Sequence, residues 1–232
     1  MIPLRDENPT RSAPYVVWAL VIINIIVFVY TAALAQGPHS PAAAFQLVPA
    51  ELTTGRDIPP TGPISPWLTI FTSMFMHANL LHIGGNMLYL WIFGNNIEDA
   101  LGHLRFLIFY LICGLAAALL QVALSPYSTI PMLGASGAIA GVLGAYLVLF
   151  PRARVVTLVI FFFVQVVYLP ASVVLGLWFA LQLINGLVFA SGMTPGGGVA
   201  YGAHIGGFIA GMAMVYLFGG KRLVGNGRWR ES

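Results

Sequence analysis

Charge is nearly missing from this chain. Of its 232 residues, 7% are Asp, Glu, Lys or Arg and 59% are hydrophobic, whereas a soluble domain carries about 25% charged residues. No charged side chain occurs between Phe106 and Pro151, or between Val155 and Gly220. So few charges do not cover a water-facing surface, and the chain belongs in a lipid bilayer. Cysteine is almost absent too. The single Cys113 excludes an internal disulfide, and its place inside an apolar run reads as packing. A nucleic-acid-binding face is lacking. The net charge of +3 is spread between apolar segments rather than gathered beside polar or aromatic partners. Metal-ligand spacing is lacking as well. His77 and His82 are five apart with no glutamate between them, and no HExxH occurs. Neither a metal nor a cofactor is expected.

What is present is a series of apolar segments. A span needs about 20 apolar residues at a rise of about 1.5 Å each. The candidates are Tyr15–Ala35, Leu80–Gly94, Leu104–Ala123, Ala135–Phe150, Ala171–Ala190 and Ala203–Gly219. Ala33-Leu34-Ala35 resembles a signal-peptidase site, but the run before it exceeds a signal core, so it reads as an uncleaved first span. Val155–Leu169 is apolar but short, and is expected to be a re-entrant or buried connector. Six spans with a cytoplasmic N-terminus place nine of the ten basic residues on one face, leaving Arg56 alone outside. A seventh span would send the basic C-terminus across. The expected class is therefore an all-α membrane protein of six transmembrane helices with both termini cytoplasmic. Residues 1–13 form a cytoplasmic N-terminal segment, 14–220 the membrane domain and 221–232 a basic cytoplasmic tail. The loop Gln36–Pro66, with seven prolines, is expected to be an ordered or interfacial external element.

Polar groups inside spans are expensive, so they are functional candidates. Four stand out: His82, Asn86, Ser136 and His204. His82 and Asn86 are four apart and share one helix face. Taken alone they could be interhelical polar glue. His77 falls off that face and suits a structural role. Ser136 follows Gly134 at the outer end of the fourth span, where a helix N-terminus favours anions. Taken alone it could be an N-cap. His204 lies near the outer end of the last span. Small residues recur on both helices: Gly137 and Gly141 on one, Gly207 and Gly211 on the other. Packing those faces brings Ser136 and His204 to one end. A serine beside a neutral imidazole is the minimal unit of nucleophilic catalysis.

A carboxylate usually orients the histidine. No acid occurs from Phe106 to Gly220, and Glu98 and Asp99 lie at the far end of the second span. The pattern is thus a Ser–His dyad, with Ser136 as nucleophile and His204 as general base. His82, Asn86 and the Ser136 amide are placed to bind the oxyanion.

These residues resemble the rhomboid family of intramembrane serine proteases. His77-Ala-Asn-Leu-Leu-His82-Ile-Gly-Gly-Asn86 is similar to the family's second-span pattern. Glu98-Asp-Ala-Leu-Gly102-His-Leu-Arg105-Phe106 resembles its cytoplasmic turn. Gly134-Ala-Ser136-Gly137 matches its GxSG motif and Ala203-His204-Ile-Gly-Gly207 its AHxxG. The resemblance implies a rhomboid-like bundle and the same dyad and oxyanion hole. It implies a cavity open to the external side, and membrane-protein substrates cut in or near a transmembrane helix. The fifth span and the loop Ser191–Tyr201, with Gly196, Gly197 and Gly198, would be gate and cap. One position departs. Some members carry an aromatic four residues after the serine, which stacks on the histidine; here it is Ala140. The hold on His204 is then expected from contact with Gly137 or Gly141.

Two other classes compete. A catalytically inactive rhomboid-like protein that binds membrane helices would lack the dyad. A transporter would need polar residues through the bilayer depth, whereas the inner halves of spans four to six are almost wholly apolar. The lack of a transit peptide points to a bacterial inner membrane.

Overall fold

The computed structural model describes residues 1–34, 40–59, 62–161, 163–191 and 199–220. Among these, the elements in chain order are β1 (Ile2–Asp6), α1 (Tyr15–Ala33), α2 (Pro49–Thr54), α3 (Pro66–Thr72), α4 (Leu80–Leu101), α5 (His103–Leu124), α6 (Ser136–Leu149), β2 (Arg154–Ile160), β3 (Val164–Pro170), α7 (Ala171–Ala190) and α8 (Tyr201–Met214). The protein is an integral membrane protein built mostly of helices. Among the described residues, α1, α5 and residues Ala171–Val188 of α7 are long and apolar enough to cross a bilayer, with mean hydropathies of 2.5, 2.4 and 1.8. The other three expected spans also form helices. α4 has the length but carries polar residues at both ends, and α6 and α8 have 14 residues each, or about 21 Å.

α6 is the centre of the bundle. Every residue from Gly137 to Tyr146 is buried, as expected of a helix apolar all round. It packs against α4, α5 and α8. Cys113 of α5 is buried against Gly141, the packing role that its sequence context suggests. α4 runs seven residues beyond the expected Gly94. The reason is Glu98, which is fully buried and still helical. Its carboxylate accepts the backbone N–H groups of Val16 (2.9 Å) and Val17 (2.8 Å). These are among the first, otherwise unpaired, amides of α1. A negative charge there also suits the helix dipole. His103 meets the same carboxylate at 2.5 Å.

Two expectations need correction. The fold is not all-α: β1, β2 and β3 form an antiparallel sheet in that order. Val155–Leu169 is accordingly no re-entrant connector but most of a hairpin, with Val155 opposite Leu169 and Ile160 opposite Val164. Its run of Val, Ile and Thr fits a pleated, half-buried surface. The segment 1–13 carries β1. Its strand pairs with β2, Asp6 facing Val155, and the register shifts between Pro3 and Arg5, beside a proline that has no N–H to donate. Asn96 donates to the Asn8 carbonyl (2.7 Å), and Ser12 donates its amide (2.9 Å) and hydroxyl (2.6 Å) to Asp99. Tyr146 donates to the Asp6 carboxylate at 2.7 Å. Burial pushes the Asp6 carboxyl up to about 6, although the bond from Tyr146 opposes the shift.

At the opposite end, the described parts of Gln36–Pro66 include short helical elements. The 3₁₀ turn Pro41–Phe45, α2 and α3 each begin with a proline, which suits a first helical position. Leu47 and Met132 exchange backbone bonds of 3.1 and 2.8 Å, pinning the segment that leads into α6. Much of Ser191–Tyr201, Gly196, Gly197 and Gly198 included, and the tail 221–232 lie outside the described residues.

Candidate active site

The segment entering α6 is extended, and Gly134 turns it with a φ of 123°. A side chain there would be strained. It would also collide: a Cβ would sit 2.7 Å from His82 Nε2, with Asn86 Nδ2 at 3.6 Å. The Gly134 amide donates to the Ser73 carbonyl at 2.9 Å. Ser136 then opens the helix. It is the first helical residue rather than the cap, and no side chain caps α6. The capping alternative for Ser136 is therefore not what the structure shows. Its hydroxyl instead meets His204, with Oγ and Nε2 2.8 Å apart.

That meeting depends on glycine. A side chain at Gly207 would overlap the Gly137 carbonyl, and one at Gly211 the Gly141 carbonyl. On the facing helix, a Cβ at Gly137 would lie 2.7 Å from Ala117 and one at Gly141 would strike Cys113. α6 and α8 thus touch backbone to backbone, as small-residue helix pairs do. His204 sits one turn before Phe208 on this close seam. The glycines set the approach of the helices but do not hold the imidazole.

Two residues of α7 hold it, and the sequence reading passed over both. Gln182 Oε1 lies 2.8 Å from His204 Nδ1, and the Trp178 ring lies 5.8 Å from the His204 ring at 36°. Gln182 could have been found, because an amide in the middle of an apolar span is itself a candidate. Trp178 gave no such signal, since an aromatic in a span is ordinary. Gln121 also went unremarked. Its side-chain oxygen accepts from the Ala203 amide at 3.2 Å, anchoring the first turn of α8 beside His204.

On the other side of Gly134, α4 presents His82 and Asn86. Asn79 caps α4 through the His82 amide at 2.9 Å. The Ala78 amide donates to His82 Nδ1 at 3.4 Å, which leaves Nε2 to carry the ring proton. That N–H faces the space beside Gly134. Asn86 is buried, and among the described residues its Nδ2 has no hydrogen-bond partner. A buried donor without a partner is uncommon and calls for an acceptor. Behind them His77 stacks edge-on to His82, ring centroids 5.0 Å apart. His77 lies before α4 begins, and burial, with the neighbouring His82, pulls its imidazole down to about 4. It is a neutral wall, in keeping with a structural role. A cavity of about 30 Å³ touches Ser136, Gly134, Met74 and Ala203, enough for a water. A larger cleft of about 320 Å³ lies beside His82, lined also by Gln121, Met132 and Ala200.

The model of the Rhomboid domain family matches residues 65–221. The chain belongs to the rhomboid family. It is 30% identical over 173 residues to the protein named Rhomboid protein 1, mitochondrial, of Saccharomyces cerevisiae, covering 70% of this chain and 47% of that protein. It is 40% identical over 81 residues to Rhomboid protease GluP of Bacillus subtilis, covering 35% of this chain and 15% of that one. With Rhomboid-like protein 11, chloroplastic, of Arabidopsis thaliana it shares 35% over 75 residues, or 32% of this chain and 26% of that protein. The chain thus spans about half the length of the first relative and less of the others. Their names point to a mitochondrion and a chloroplast, and their sources include a bacterium, so kinship does not single out the bacterial inner membrane expected from the sequence.

Proposed function

We propose that this rhomboid-family protein is an intramembrane serine endopeptidase acting through a Ser136–His204 dyad. The contact of 2.8 Å between Ser136 Oγ and His204 Nε2 is the observation that carries this reading. His204 takes the hydroxyl proton as Ser136 attacks a peptide carbonyl, then returns it to the leaving amine. The oxyanion that forms is met by three donors: Nε2–H of His82, the unpartnered amide of Asn86 and the Ser136 backbone N–H. A helix N-terminus adds its positive end. Water then hydrolyses the acyl-enzyme.

The substrates are membrane proteins, cut in or near a transmembrane helix. Residues 14–220 act as one membrane unit of six spans with cytoplasmic termini, and the site opens toward the opposite side. The basic-residue pattern supports that orientation, since nine of ten Lys and Arg then share one face. The test is cleavage of a membrane-embedded reporter by the reconstituted full chain. Wild-type protein cleaves it, and Ser136→Ala does not. Equal cleavage by Ser136→Ala would overturn the proposal.

A further inference from the structure

His204 has two ring nitrogens, and a base needs the right one free. A neutral imidazole carries one proton, on Nδ1 or on Nε2. Only the Nδ1–H form presents a lone pair at Nε2, where Ser136 stands. With no charged residue between Val155 and Gly220, the selection must come from a neutral group. We infer that Gln182 makes it, as a positioning residue that fixes both the tautomer and the ring orientation of His204. The inference rests on the proposed dyad.

The argument runs through three atoms. Gln182 Nε2 faces the Trp178 carbonyl at 3.4 Å, one helical turn back on α7. A carbonyl oxygen only accepts, so the amide nitrogen belongs on that side. The reverse orientation would set the amide oxygen against the Trp178 carbonyl oxygen, two acceptors with no proton between them. The amide oxygen is therefore the atom that faces His204 Nδ1 at 2.8 Å. Oxygen accepts, so Nδ1 must donate, and its proton resides there. Nε2 is left as the acceptor for the Ser136 hydroxyl. The orienting role that a carboxylate plays in serine hydrolases is here assigned to an amide, which needs no buried charge. The Trp178 ring beside the imidazole limits its tilt, at a site where Ala140 offers no ring.

The competing reading is a packing bond between α7 and α8 with no bearing on the base. Steady-state kinetics with the reconstituted full chain separate the two. Gln182→Leu keeps the volume and loses the acceptor. It should lower kcat roughly 10- to 100-fold while KM changes less than about twofold. ¹⁵N spectra of histidine-labelled protein should show His204 losing its Nδ1–H form in the same variant. Gln182→Glu restores an acceptor. It should recover most of the lost kcat and move the acidic limb of the pH–rate profile to higher pH, because a carboxylate stabilises the imidazolium. Asn185→Leu, a polar loss on the same helix, should leave kinetics unchanged. If Gln182→Leu retains kcat, or loses it with the tautomer and pH profile unmoved, the inference fails. Cleavage by Ser136→Ala would instead condemn the dyad itself, so the two failures are distinct.

Discussion

The Gly137 carbonyl occupies the space that a side chain at Gly207 would need. The missing side chain of Gly207 therefore fixes how close α6 and α8 come. Gly207→Ala must push the helices apart near Ser136 and His204. Overpacking of this kind costs about 1–3 kcal/mol. The expected outcome is a loss of cleavage larger than the loss of folded protein, read from parallel activity and thermal unfolding in micelles. Gly84→Ala is the control, since among the described residues nothing lies within 4 Å of where its Cβ would be, and it should keep both.

Gly134 serves the site through its backbone and its missing side chain together. Gly134→Ala forces an L-residue to φ 123° and drives a methyl into His82. The strain is about 1–3 kcal/mol. Because the displaced group is a candidate oxyanion donor, kcat should fall by about 100-fold or more. An alanine protein with full activity would show that His82 can move without consequence.

Glu98 stabilises the opposite end. Glu98→Ala leaves the buried amide of Val17 and the half-buried amide of Val16 unpaired. Stability should fall by about 3 kcal/mol or more, measured by thermal or denaturant unfolding. Protein that remains folded should cleave normally, because Glu98 lies 16 residues along α4 from His82, about 24 Å away.

Asp6 makes the anchoring of the N-terminal strand depend on pH. Burial raises its carboxyl from 3.8 to about 6, so the fold holds the proton more tightly than the unfolded chain does. That contribution is full below about pH 3.8 and is lost as pH rises to about 6. Above it the buried carboxylate is a burden of about 1–2 kcal/mol after allowing for partial exposure. Asp6→Asn should therefore match wild type near pH 4 and melt higher near pH 8. Equal melting at both pH values would contradict this account.

How much could be read in advance follows from particular residues. Ser136, His204, His82 and Asn86 were legible because polar groups in apolar spans stand out, and the seam glycines because they recur at helical spacing. Glu98 and Asp99 were located correctly as the far end of a helix, yet their bonds to the N-terminal segment could not be read, since those link residues more than 80 positions apart. The hairpin was missed because Val155–Leu169 is a short apolar run, and such runs look alike as buried helix or strand. β1 was missed because Ile2–Asp6 is a strand only by virtue of its partner β2. Gln182 was not legible as part of the site because an amide neither attacks nor titrates, and its bond to His204 crosses 22 residues. The hold on His204, expected from Gly137 or Gly141, comes from α7.

The central claim is that Ser136 is an activated nucleophile because His204 is its base. A fluorophosphonate probe reports this directly, since it reacts with an activated serine and needs no natural substrate. Reconstituted wild-type protein should be modified at Ser136, located by mass spectrometry, and His204→Ala should abolish the modification while still folding. Unmodified wild-type protein, or undiminished labelling in His204→Ala, would contradict the account.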